Sequence, residues 1–361
     1  MTDAAVPEIT AEPGRLMARE IAEQPAMFDH ILAGGRADIA RIAADISAKG
    51  IRFVLLAARG TSDHAALYAK YLVEIVLGLP AGLASPSTMT AYGARPDLHD
   101  VLFIAVSQSG GSPDLVQSLT TARACGALTL AVTNAPTSPL AAAAALHIDV
   151  LAGPERAVAA TKSYTAELLS LYLLVDALRG GDGSAAGVLA GAAGSLVDDR
   201  EPVRALARRF MASERLVVTG RGYSYPTARE AALKLMETSY VSAQAFSGAD
   251  LMHGPMAMLQ RDSAVIAIVP EGVAGLAIAP VVDRLAELGT NLAIVGGGAS
   301  PENRDGAQGS VVRLMLPAGL PEELSPVVEI IPLQMLAHEL AVVRGFDPDT
   351  PRGLHKVTQT W

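Results

Sequence analysis

At 361 residues, half of them hydrophobic and only 18% charged, the chain has apolar side chain enough for two packed units, which excludes global disorder. A formal net charge of −9 and a pI near 5.3 exclude a general surface for nucleic acid or anionic membrane, so any phosphate must be held locally. One cysteine, Cys125, excludes an intramolecular disulfide framework and fits a reducing compartment.

Residues 1–13 lack the basic and apolar regions of a secretory signal. No uninterrupted apolar stretch reaches the roughly 18–20 residues of a membrane span, so a soluble, cytoplasmic protein is expected. A leader and first helix are expected over 1–33, with Arg15–Leu32 amphipathic and interrupted at Pro25. An α/β rhythm then fills 34–180. Strand Arg52–Ala57 leads through the turn Arg59-Gly60-Thr61-Ser62 to helix Asp63–Leu77. Strand Val101–Val106 precedes a helix from Pro113, and strands Leu128–Thr133 and Ile148–Leu151 precede a long apolar helix, Thr161–Leu178. Such alternation predicts a parallel sheet covered by helices. Residues 181–202, rich in Gly, Ala and Ser and then charged, read as the connection to a second unit over 203–345. A tail, 346–361, follows the last helix, Val327–Val343.

The second unit repeats the first. Arg59-Gly60-x-Ser62 recurs as Arg221-Gly222-x-Ser224, an offset of 221 − 59 = 162. The same offset takes Val101–Val106 onto Ser263–Ile268 and Leu130-Ala131-Val132 onto Leu292-Ala293-Ile294, which points to a tandem duplication. The copies diverge where ligands bind. Ser107-Gln108-Ser109-Gly110-Gly111-Ser112 joins a buried strand to a helix. Its hydroxyls and uncrowded backbone N–H groups suit a phosphate at the helix N-terminus. The plain alternative is a polar turn with Ser112 as N-cap before Pro113. The second copy has Val269-Pro270-Glu271-Gly272 there, without the hydroxyls.

That second copy offers other chemistry. Lys234 and Glu237, three apart, share one face of a helix over Pro226–Thr238, either as a surface ion pair or, in so apolar a helix, as a buried one. His253 lies in a Gly-Pro loop and is a candidate acid/base only beside a carboxylate and an amine. Lys356, by pattern alone, sits in an exposed tail. The scattered histidines and lone cysteine offer no metal site, and no GxGxxG follows a strand, so no cofactor is expected.

Taken in order, Glu20-Ile21-Ala22-Glu23-Gln24-Pro25, Arg59-Gly60-Thr61-Ser62, Ser107-Gln108-Ser109-Gly110, Val158-Ala159-Ala160-Thr161-Lys162, Ala232-Leu233-Lys234-Leu235-Met236-Glu237, His253-Gly254-Pro255, Pro332-Leu333-Gln334 and Leu354-His355-Lys356 resemble the sugar-isomerase (SIS) family. Within it they are most similar to the isomerase half of the glutamine:fructose-6-phosphate amidotransferases. The resemblance implies two tandem SIS units, each a flavodoxin-like three-layer sandwich. It implies that Ser107, Gln108, Ser109 and Ser112 hold a sugar phosphate and that Ser62 and Val158 line the sugar. It further implies that Glu237, assisted by Lys234, moves a proton between C1 and C2. His253, often supplied by a partner subunit, would open the ring, and Lys356 would engage the carbonyl as a Schiff-base or positioning amine. A homodimer with shared sites and a phosphorylated amino sugar as ligand follow from the same source.

Two departures bear on substrate: Ala160 stands where the synthases have serine, and Ser112 where they have threonine. The synthases also carry a glutaminase domain with an N-terminal cysteine nucleophile. This chain has Thr2 there, so glutamine-dependent synthesis by the chain alone is not expected. The expected activity is an amino-sugar-phosphate deaminase/isomerase. The alternatives are an aldose-ketose isomerase or fructosamine-phosphate deglycase, and a sugar-phosphate sensor without turnover.

Overall fold

The computed structural model describes residues 12–298 and 311–356. Three helices lead in: α1 (Arg15–Ala22), α2 (Gln24–Gly34) and α3 (Arg36–Ser47). The break between α1 and α2 falls at Glu23, so Pro25 lies in the first turn of α2, where its missing N–H costs nothing, and does not kink one long helix. The first unit then runs β1 (Phe53–Ala57), α4 (Thr61–Leu72) with a π-turn to Leu77, β2 (Ala81–Leu83), α5 (Pro86–Thr90), β3 (Val101–Ser107), α6 (Pro113–Ala124), β4 (Leu128–Thr133), α7 (Pro139–Ala143), β5 (Leu146–Asp149) and α8 (Lys162–Leu178). β5 starts and ends two residues earlier than expected. Leu151, with φ of +55°, already turns away from the sheet.

The stretch after α8 folds as a short 3₁₀ turn, α9 (Leu189–Asp198) and α10 (Glu201–Phe210). α9 packs on α2. The second unit comprises β6 (Arg215–Gly220), α11 (Ser224–Ser239), β7 (Ser242–Ser247), α12 (Gly248–Met252), β8 (Ala264–Ile268), α13 (Val273–Glu287), β9 (Asn291–Val295), β10 (Val312–Leu314) and α14 (Ser325–Val343).

Both sheets are parallel, in the orders β2-β1-β3-β4-β5 and β10-β9-β8-β6-β7, so each strand order reverses beside its first strand. The offset of 162 that links β1, β3 and β4 to β6, β8 and β9 also carries α4, α6 and α8 onto α11, α13 and α14. β3 and β8 are buried along their whole length, as a strand covered on both faces must be. Alternate residues of β3 serve different cores. Leu102, Ile104 and Val106 face a large apolar core shared by both units, while Phe103 and Ala105 pack with Leu115 and Leu119 on the other face.

The shared core brings α4 and α8 of the first unit against α11 and α14 of the second. α14 is the helix long and apolar enough to cross a membrane among the described residues. It is instead mostly buried in this core, with Glu329 and Gln334 both paired inside the protein. The switch point of the first sheet therefore opens beside a helix of the second.

Candidate active site

A cleft of about 300 Å³ lies at that opening. Its floor is the β3–α6 loop. Gly110 there has φ of +60°, and its N–H donates to Ser107 Oγ at 3.2 Å, while Gly111 N–H donates to Ser109 Oγ at 3.3 Å. Ser112 is the N-cap residue of α6, yet its side chain makes no capping hydrogen bond. The hydroxyl is thus not consumed by helix capping, and the loop presents hydroxyls and a helix N-terminus to one end of the cleft. Arg59 fixes the neighbouring β1–α4 turn, since its Nε and Nη2 each donate to buried Asp114 Oδ2 at 2.8 Å. Ser62 lines the cleft and donates to Glu167 Oε1 at 2.8 Å, so it does not act as a helix cap. Burial pushes Glu167 well above the usual carboxyl range, with the Ser62 bond opposing.

α11 also lines the cleft, through Lys234 and Glu237. Lys234 is completely buried, and its Nζ donates to Glu237 Oε2 at 2.5 Å while lying 3.4 Å from Glu230 Oε1. Burial opposes its charge, but the carboxylates of Glu230 and Glu237 outweigh that penalty and hold the ammonium above the usual lysine range. Lys234 is therefore a fixed cation. The side chain of Glu237 remains 21% exposed, and that exposed part borders the cleft.

The third wall is the loop after β5 with the C-terminal tail. Val158 and Ala160 line the cleft beside Leu354, His355 and Lys356. The described part of the tail, residues 346–356, is not frayed. Asp347 accepts from Gly14 N–H, and Asp349 accepts from Leu16 and Met17 N–H at 2.8 Å each, placing both carboxylates at the N-terminus of α1. Arg352 lies over the Tyr240 ring, 3.9 Å from its centroid. Lys356 Nζ consequently reaches inward, donating to Glu155 Oε2 at 2.8 Å and to the Ala157 carbonyl at 2.7 Å.

Of the residues singled out in the sequence, Ser62, Ser107, Gln108, Ser109, Ser112, Val158, Lys234, Glu237 and Lys356 all border this one cleft. His253 does not. It lies exposed at the end of α12, outside the cleft of its own chain. Among the described residues no group of three or more His, Cys, Asp or Glu is placed to hold a metal.

Pattern reasoning missed the buried frame behind these walls. Glu155 accepts from Thr161 and Ser163 N–H and from Ser163 Oγ as well as from Lys356. Burial would raise this carboxyl, but Lys356 and Ser163 outweigh it and hold it below its ordinary value. Glu20 accepts from Arg156 and Ala157 N–H, and burial lifts its own carboxyl above the ordinary value. Gln24 and Gln334 are hydrogen-bonded to each other, and Gln334 Nε2 donates to the Thr161 carbonyl. Glu20, Gln24 and Gln334 belong to stretches that carry the family resemblance, which was their available signal. No local pattern marks Glu155.

Residues 51–177 and 210–344 each match the SIS domain family. A glutamine–fructose-6-phosphate aminotransferase (isomerizing) of Gloeobacter violaceus is 35% identical over 358 residues, covering 94% of this chain and 58% of the relative. The chain thus spans somewhat over half the length of the curated relatives it matches. Among solved structures, the C-terminal domain of glucosamine-fructose-6-phosphate aminotransferase from Francisella tularensis superposes with a TM-score of 0.85 at 25% identity, covering 94% of this chain and 100% of that one. A glucosamine-6-phosphate deaminase of Thermotoga maritima shares the fold, with a TM-score of 0.76 at 21% identity over 95% of this chain and 99% of that one.

Proposed function

The chain belongs to the SIS domain family, and we propose that it is an amino-sugar-phosphate deaminase/isomerase, converting glucosamine-6-phosphate or a close relative, with water, to fructose-6-phosphate and ammonia. The observation that supports this reading is one cleft lined together by the Ser107, Ser109 and Ser112 hydroxyls, the Lys234–Glu237 pair and Lys356. A phosphate anchored by Ser107, Gln108, Ser109 and Ser112 would extend its sugar past Ser62 and Val158 toward Glu237. Ring opening, assigned to a His253 supplied by a second copy of the chain in a homodimer, exposes the C1 aldehyde and acidifies the C2 proton. Glu237 removes that proton and returns one at C1, leaving a C2 ketimine that water hydrolyses with loss of ammonia. The electron sink is the substrate's own carbonyl.

Lys234, held as a cation, orients the carboxylate and does not itself take the proton. Lys356 is assigned the positioning role over the Schiff-base role, because its Nζ is already held by Glu155 Oε2 and the Ala157 carbonyl. The test is ammonia release from purified protein with glucosamine-6-phosphate, run beside galactosamine-6-phosphate and N-acetylglucosamine-6-phosphate. Release from one free-amine substrate is expected. Ketose formation from glucose-6-phosphate without ammonia from any amino sugar would replace the deaminase with an aldose-ketose isomerase.

A further inference from the structure

The carboxylate assigned to proton transfer is the end of a buried chain that begins in the other unit. Glu230, Lys234 and Glu237 follow at i, i+4 and i+7 along one face of α11. Glu230, fully buried, is gripped on both oxygens by the start of α4: Thr61 Oγ1 donates to Oε1 at 3.1 Å, and His64 Nδ1 lies 2.7 Å from Oε2. A carboxylate only accepts, so His64 Nδ1 carries the proton. Neither His64 nor Glu230 borders the cleft.

We propose that His64 is a positioning residue for the proton-transfer step, setting the geometry of Glu237 through Glu230 and Lys234 across the contact between the two units. The proposal rests on the assignment of Glu237 as the proton carrier. Lys234 is shared between two carboxylates, and its position depends on how firmly each is held. With both oxygens of Glu230 engaged by α4, the ammonium is left to Glu237 at its shorter separation. Without His64, Oε2 of Glu230 loses its donor, and the Lys234 ammonium, 3.4 Å from the neighbouring Oε1, is the cation placed to compensate the buried carboxylate. Satisfying Glu230 then draws Lys234 away from Glu237 and unfixes the carboxylate that must meet C2. The remaining charged groups on this network are Glu155 and, on α8, Glu167, with the Tyr164 hydroxyl near Glu230 and the Asp63–Arg229 pair at 3.9 Å bridging α4 and α11. Of these, His64 is the one that donates to the far oxygen of Glu230. The same turn of α4 carries Thr61 and Ser62, both at the cleft wall, so the sugar's seat and the base are tied to one helix start.

The test compares His64→Leu, which keeps bulk and loses the donor, with His64→Asn, whose amide can donate from the place of Nδ1. Glu230→Gln serves as the second route to the same break if His64→Leu does not fold. Turnover of glucosamine-6-phosphate by the full chain should show kcat lowered at least about tenfold in His64→Leu with KM within about twofold, and kcat largely restored in His64→Asn. Wild-type kcat in both His64→Leu and Glu230→Gln, beside an inactive Glu237→Gln, overturns the positioning role while leaving Glu237 as the base. Full turnover by Glu237→Gln instead removes the base assignment itself. A crystal structure of His64→Leu gives a reading independent of substrate: Lys234 Nζ should withdraw from Glu237, and an unmoved pair overturns the proposal.

Discussion

Gly110→Ala should loosen the phosphate cradle without removing any of its hydroxyls. An alanine there keeps φ near +60° only at a cost of about 1–2 kcal/mol, the usual penalty for a left-handed L-residue. Its Cβ would also stand 2.2 Å from Ser138 Oγ and 2.6 Å from Ser138 Cβ. Ser138 cannot simply swing away. It is the N-cap of α7, accepting from Ala141 N–H at 3.3 Å, and its own N–H donates to the Ala135 carbonyl. Overpacking of this kind costs about 1–3 kcal/mol, so about 2–5 kcal/mol falls on the loop in total. The loop is tied to α7 by one bond, Leu140 N–H to the Gly110 carbonyl at 3.1 Å, and should yield by moving the Ser107–Ser112 hydroxyls. Calorimetric titration with fructose-6-phosphate should then show affinity at least about tenfold weaker, since 1.4 kcal/mol is a factor of ten. Adding Ser138→Gly removes both close atoms for a few tenths of a kcal/mol of capping and should recover part of the affinity. Wild-type affinity and unfolding midpoint in Gly110→Ala alone would refute the idea that this glycine shapes the cradle.

Three further outcomes follow from named contacts. Ser109→Ala should raise KM with kcat little changed, because phosphate binding is shared by ground and transition states; an unchanged KM would reduce the loop to a helix cap. Glu329, buried, has its pKa raised to about 7, with the Ser325, Ser224 and Thr227 hydroxyls opposing. A raised folded pKa gives stability that is full below about pH 4.5 and lost as pH climbs through 7, a fall of about 3 kcal/mol that urea unfolding of Glu329→Gln should show flattened. Identical pH slopes in variant and wild type would refute that assignment. Mixing His253→Ala with Glu237→Gln protein should partly restore turnover if a second copy completes the cleft, and no restoration would confine each site to one chain.

The strands were legible because parallel strands covered on both faces must be apolar, and Val101–Val106 and Ala264–Ile268 are. The three-residue edge strand Ala81–Leu83 was not, since so short a stretch has no periodicity to read. Within the site, the loop serines and the Lys234–Glu237 spacing were visible as local patterns. The devices that place Lys356 were not. Asp347 and Asp349 act on Gly14, Leu16 and Met17 across more than 330 residues of chain, and Glu155 acts on Lys356 across 201. A carboxylate whose purpose is a distant N–H or ammonium leaves no spacing to find.

The repeat also shows how one scaffold came to hold an asymmetric site. Ser62 donates to Glu167, and at the same offset of 162 Ser224 donates to Glu329, each pair tying the first helix of a unit to its closing helix. In the second unit Thr227 and Ser325 add two more donors to the carboxylate. In the first, Ala65 stands at the place of Thr227, and Ser163, at the place of Ser325, donates to Glu155 instead. Glu167 Oε2 is consequently left without a hydrogen-bond partner, and its serine faces the cleft. The reverse divergence is seen on α11, where Glu230, Lys234 and Glu237 occupy places held in the first unit by Tyr68, Leu72 and Ile75. The cradle hydroxyls have no counterpart in the second unit, and the buried charges have none in the first. The cleft therefore draws on both units, one contributing the Ser107–Ser112 hydroxyls and the other Lys234 and Glu237, and the α4–α11 contact where they meet carries the polar pairs Thr61–Glu230 and His64–Glu230 inside the shared core.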